Sequence, residues 1–195
     1  MDAETFELFR SAVRRFVDER LIPAEDRVEE EDAVPPEIVV QIKEMGLFGL
    51  SIPEEHGGLG LTMAEEAAII RELCRASLSF RSVIGTTVGI GSQGIMIDGT
   101  DAQKREWLPR LASGEAISSF ALTEPEAGSD AGSLRTTAVR EGGGYRINGT
   151  KRYITNAPRA SVFTLMARTD FEAKGGAGIS AFLVPADTPG ITLGK

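Results

Sequence analysis

ISSFALTEPEAGSD, residues 117–130, opens as a β-branched and aromatic run and closes as a Gly-Ser-Asp turn. Upstream of it, apolar residues recur at helical intervals. Downstream, YRING, SVFTLMAR and ISAFLVPA are short runs of strand formers separated by Gly, Asn and Asp. Helices first and strands afterwards is the order of two segregated units, not of an alternating α/β sheet. The expected fold class is α+β, with a helical domain over 1–117 and a β domain over 118–195.

The helical half supplies its own punctuation. Phe6, Phe9, Val13 and Phe16 lie at steps of three and four, so a helix over 2–19 would bury all four on one face. Pro35 and Pro36 open a second helix reaching about Lys43, and Gly46 closes it. GLFGLSIPEEHGGLGL, 46–61, reads as a long Gly/Pro loop. Thr62 and Glu65 have capping-box spacing for a third helix to about Ala76, and a fourth covers 79–92. A fifth begins at Asp101 with Trp107, Leu108 and Leu111 on its apolar face, and Pro109 is expected to kink or shorten it.

Composition narrows the function classes. The chain has 195 residues and a net charge of −8, the wrong sign for neutralising nucleic-acid phosphates. No apolar run approaches the roughly 18 residues a membrane span needs, and no secretory signal is legible, so a cytoplasmic location is expected. Cys74 has no second thiol to pair with and reads as a small buried hydrophobe. Charge is uneven: residues 1–32 carry eleven acids against five bases, whereas 135–168 carry seven bases against Glu141 alone. The basic stretch is either a solvated face or a local anion site.

Two candidate motifs fail on context. GIGSQG, 89–94, satisfies G-x-G-x-x-G, but a dinucleotide fingerprint needs a preceding strand in a βαβ unit, and here a helical run precedes it. His56 is the sole histidine and has no cysteine nearby, which is too few ligands for zinc.

The opening stretch divides into parts with separate jobs. Phe120 to Leu122 should be strand, with the Thr123 hydroxyl at its end. Ala127-Gly128-Ser129 offers successive backbone N–H groups and a glycine permitting close approach, as a pyrophosphate requires; equally, it is a surface turn. NGTKRYITNA, 148–157, carries a hairpin signal at Asn148-Gly149, then a strand placing Tyr153 and Thr155 on one face. An aromatic plane beside a hydroxyl suits a flat heteroaromatic ring, and equally a packed strand pair.

ALTEPEAGSD followed by INGTKRYITNA, with IPEEHGGLG, GTDAQKREWLPRLASGE and FLVPADTPGI elsewhere, resembles the acyl-CoA dehydrogenase family of flavoproteins over essentially the whole chain. The resemblance implies an N-terminal helical domain, a middle antiparallel β domain that this chain carries in part, and a C-terminal helical bundle that it lacks. It implies FAD, with Phe120, Leu122, Thr123, Gly128 and Ser129 bordering the flavin and its phosphates. Thr123 would bond the pyrimidine edge, and Ser129 would also reach the acyl-CoA.

Tyr153, Ile154 and Thr155 would flank the ring, Tyr153 standing where the family usually has tryptophan. The implied reaction is α,β-dehydrogenation of an acyl-CoA to the trans-2-enoyl-CoA, with electrons passed to an electron-transfer flavoprotein. The implied assembly is a homotetramer. The catalytic base is expected in the missing bundle, so no residue here is assigned that role, and Glu124 and Glu126 are expected to be exposed. A desulfinase or nitroalkane oxidase on the same flavin bed, or a non-catalytic flavin or acyl-CoA binding module, are the alternatives.

Overall fold

A computed structural model of the chain describes residues 1–194 and divides into two units, the first ending at Ala116 and the second beginning at Ile117. In the first, α1 (Ala3–Phe16) is capped by Asp2, whose carboxylate accepts from the Thr5 amide at 2.9 Å. Phe6, Val13 and Phe16 are buried as their spacing requires, while Phe9 is only half-buried. A π-helical turn, Val17–Leu21, continues α1, followed by α2 (Glu25–Glu31) and α3 (Pro36–Glu44), the last closed by Gly46 at φ 71°.

Next come α4 (Met63–Leu73), α5 (Leu78–Gly85), a second π-helical turn at Thr86–Gly91, α6 (Gln93–Asp98) and α7 (Asp101–Ala112). The Thr62–Glu65 capping box forms, and Thr100 with Gln103 makes a second one at α7. GIGSQG is therefore helical on both sides, which removes any dinucleotide turn. The helix α7 passes through Pro109 to Ala112 and is not shortened there.

The loop between α3 and α4 is built rather than slack. The amides of Leu59, Gly60 and Leu61 donate to the carbonyls of Gly49, Ile52 and Leu50, so the chain doubles back on itself. Gly58 is required at this crossing, because a Cβ there would collide with the Ile52 carbonyl. Phe48, Leu50, Ile52, Ile69 and Leu111 are fully buried in the core that results. Beside it, Glu72 is 3 % exposed and accepts two hydrogen bonds from Arg14, at 2.7 and 3.2 Å. Cys74, one position beyond Leu73 at the end of α4, has turned to solvent, because Ile69, Glu72 and Leu73 take the inner face.

The second unit is one five-stranded sheet: β1 (Ser118–Ala121), β2 (Thr137–Glu141), β3 (Gly144–Asn148), β4 (Val162–Arg168) and β5 (Ile179–Pro185). The expected antiparallel sheet is mixed. β1 runs parallel to β4 with Ser118 opposite Val162, β2 meets β4 in parallel at Thr137 and Arg168, and β2–β3 and β4–β5 are antiparallel. β1 and β5 thus flank β4, which supplies the buried Val162, Phe163 and Ala167. Among the described residues, no helix is long and apolar enough to cross a membrane.

Candidate functional site

The two stretches singled out in the sequence meet at the end of β1. The Arg152 amide donates to the Thr123 carbonyl at 2.8 Å, and the Ser119 hydroxyl donates to the Thr155 carbonyl at 2.7 Å. Lys151 reaches further, its Nζ donating to the Leu122 carbonyl at 3.0 Å and to Glu124 Oε1 at 2.8 Å. These bonds lay 151–155 alongside 119–124, although 27 residues separate Glu124 from Lys151.

Glu124 is not the exposed acid expected beside Pro125: it is 7 % exposed. Its carboxylate also accepts the Arg135 amide at 2.6 Å and the Thr136 amide at 2.9 Å. Burial is the strongest single influence and pushes this carboxyl up. Hydrogen bonds from Lys151, Thr136 and the two amides together outweigh it and hold the pKa at about 2. Lys151 is pulled the other way, since burial of its ammonium exceeds what Glu124 returns and lowers its pKa. The Glu124 carboxylate is ionised at neutral pH, and burial makes the Lys151 ammonium the less favoured partner of the pair.

Beyond Glu124 the chain turns tightly, with Glu124 and Ala127 exchanging backbone hydrogen bonds of 2.9 and 3.3 Å. Ala127 is buried, while Gly128 and Ser129 are exposed. Gly128 does not use positive φ, and a Cβ placed on it would meet nothing within 4 Å. The space over the turn is open. Phe120, Leu122 and Thr123 are half-buried at the end of β1.

The second stretch departs from expectation. No strand follows Asn148-Gly149, and the hairpin turn lies instead at Gly142-Gly143, both at positive φ. Gly149 serves close packing, because a Cβ there would lie 2.8 Å from Thr136 Cα. Residues 149–156 are an irregular segment in which Tyr153 takes φ 58° and Asn156 takes φ 63°, so strand alternation does not apply. Tyr153 and Thr155 do not share a strand face. Tyr153 is 78 % exposed with the Arg152 guanidinium 4.6 Å from its ring centroid, Ile154 is half-buried, and Thr155 is exposed in a turn.

The basic stretch 135–168 is dispersed rather than focused. Arg135 pairs with Glu126 at 3.2 Å, Arg146 with Glu141, and Lys151 with Glu124. Arg140 and Arg152 lie over Tyr145 and Tyr153, and Arg168 donates to the carbonyls of Gly132, Ala173 and Gly175. A groove of about 340 Å³ runs beside the turn, lined among others by Glu126, Arg135, Asn148 and Thr150, and does not include Gly128 or Tyr153. No cluster of three or more metal-ligating side chains occurs among the described residues.

The family model for the acyl-CoA dehydrogenase N-terminal domain matches residues 3–115, and that for the middle domain matches residues 119–195. The (2S)-methylsuccinyl-CoA dehydrogenase of Cereibacter sphaeroides is 45% identical over 98% of this chain and 37% of its own length. A glutaryl-CoA dehydrogenase of Mycobacterium smegmatis, solved in complex with FADH2, superposes with a TM-score of 0.87 at 37% identity, covering 98% of this chain and 48% of that one. A chain of the structure described as the electron transferring flavoprotein of Acidaminococcus fermentans superposes at 0.91 with 31% identity, covering 100% of this chain and 52% of that one. The chain spans at most about half the length of these relatives.

Proposed function

The chain belongs to the acyl-CoA dehydrogenase family, and from that premise we propose that it carries part of the flavin bed of a FAD-dependent enzyme that dehydrogenates an acyl-CoA thioester to the trans-2-enoyl-CoA. The observation that carries this reading is the convergence of 122–129 and 151–155, fastened by Lys151–Glu124 and by the Arg152 amide on Thr123. A flavin fits the residues on two counts: the space over Gly128 is open, and the Tyr153 ring is exposed for stacking.

In this reading the Thr123 hydroxyl bonds the pyrimidine edge, with Phe120 and Leu122 as the apolar border beside it. The backbone at Gly128 and the Ser129 hydroxyl hold the pyrophosphate, and Ser129 also reaches the acyl-CoA. Tyr153 covers one side of the ring with Ile154 next to it, while the Thr155 hydroxyl donates near the reacting end. FAD, when bound, takes up hydride from the β carbon of the thioester. These residues bind and orient; none of them is assigned as the base that removes the α proton. The same reading includes an electron-transfer flavoprotein as acceptor, a homotetrameric assembly and a cytoplasmic setting in fatty acid metabolism.

Thr155→Val tests the assignment, because it keeps shape and branching while deleting one hydroxyl. In the protein as its gene encodes it, bound FAD should remain and reduction by substrate should slow about tenfold, as for a bond made mainly in the transition state. An unchanged reduction rate in rapid mixing would remove Thr155 from the site.

A further inference from the structure

Glu124 and Lys151 are given no contact with flavin or thioester above, yet they fasten together the two segments that are. The pair is enclosed, with side-chain exposures of 6% and 10%. Its bonds radiate to three places: Lys151 holds the Leu122 carbonyl, while Glu124 holds the amides of Arg135 and Thr136. The bond from the next amide, Arg152, to the Thr123 carbonyl lies one residue from Tyr153. A shift of Lys151 therefore disturbs the Leu122 carbonyl and the adjoining Arg152–Thr123 bond together. Exchanging a buried ion pair for apolar groups of similar volume is commonly neutral or favourable for stability, so stability alone gives this pair little to do. Geometric specificity is the task left to it.

Resting on the flavin reading above, we propose that the Glu124–Lys151 pair is a positioning device that sets the separation between 122–123 and 152–155, and through it the affinity and optical environment of the bound flavin. It touches no reacting atom and acts through the backbone at Leu122, Thr123 and Arg152. The irregular, positive-φ course of 152–156 has no strand ladder, and its register rests on single bonds, the Arg152 amide on Thr123 and the Ser119 hydroxyl on Thr155, beside which the pair stands.

The test compares the parent protein with Lys151→Met, Glu124→Gln and the double variant Glu124→Gln/Lys151→Met, each stripped of cofactor and titrated with FAD. The double variant removes both charges, so its β4 amides should keep parental hydrogen-exchange protection. Exchange across 151–155 should accelerate about tenfold or more, FAD should bind about tenfold more weakly, and the visible band of the flavin that does bind should shift. Parental exchange at 151–155 together with parental FAD affinity and spectrum in a folded double variant would overturn the proposal. A parent that takes up no FAD at all would instead overturn the flavin reading, and the positioning role with it. If the double variant fails to fold, Glu124→Asp supplies the same comparison, because it keeps the charge and shortens the reach: a band unshifted at parental affinity contradicts the proposal.

Discussion

Lys151 Nζ lies 2.8 Å from Glu124 Oε1, with both side chains enclosed and the carboxylate also bonded to two backbone amides. The unfolded carboxyl titrates near 4.5 and the folded one at about 2, so the folded pKa is depressed. The stabilisation this shift represents is present above about pH 4.5 and is lost as pH falls toward 2, while the cost of burying both charges opposes it. The Lys151 ammonium opposes it, since a lowered pKa means that its charge disfavours the fold until pH rises through that value. The difference in unfolding free energy between parent and Glu124→Gln should shrink from pH 6 to pH 3. A difference independent of pH would mean that the carboxylate is not held in this way.

That relationship also marks where the sequence stops being legible. The α1 stripe and the Thr62 cap are local signals: Phe6, Val13 and Phe16 are buried as the spacing requires, with Phe9 only half-buried, and the capping box forms. Burial of Glu124 depends on a lysine 27 residues away, and beside Pro125 the local rule favours an exposed acid. Parallel pairing of β1 with β4 leaves no mark in the alternation of either strand, so nothing in the residues themselves corrects the antiparallel sheet that the family resemblance implies. The Asn148-Gly149 hairpin signal misleads because Gly149 is needed for close approach to Thr136 rather than for a turn.

In the helical unit, Glu72 is enclosed while Asp18, which pairs with Arg75 at 2.7 Å, is exposed. The Arg14 hydrogen bonds, the largest influence on Glu72, lower its pKa. Glu72→Ala should destabilise this unit by about 1.5–3 kcal/mol, whereas Asp18→Ala should cost under about 1 kcal/mol. Urea unfolding followed by far-UV circular dichroism separates the two, and equal losses would contradict the distinction.

Two glycines beside the site should respond in opposite ways. Gly149→Ala places a Cβ against Thr136 and should destabilise the sheet unit by about 1–3 kcal/mol. Gly128→Val meets open space and should leave stability within about 0.5 kcal/mol, yet the branched side chain should obstruct a pyrophosphate and weaken FAD binding. Parental flavin affinity in Gly128→Val, measured by fluorescence quenching, would dissolve the cradle assignment.

Tyr153 holds φ 58° with most of its side chain in solvent, a conformation costing about 1–3 kcal/mol in a bulky residue, against which stands the exposed contact of its ring with the Arg152 guanidinium. Tyr153→Gly should leave the unit as stable or stabilise it by about 1 kcal/mol while releasing cofactor, and Tyr153→Trp should keep the cofactor. Thermal melts and flavin content of the purified variants check this. Loss of stability in Tyr153→Gly would show that the ring is a packing element.

The most direct measurement is an anaerobic titration of the flavin-loaded protein, as its gene encodes it, with saturated acyl-CoA thioesters. Bleaching of the flavin band with formation of the 2-enoyl-CoA is the expected result. Unchanged colour while a thioester is demonstrably bound would contradict a dehydrogenase and leave a protein that binds these molecules without oxidising them.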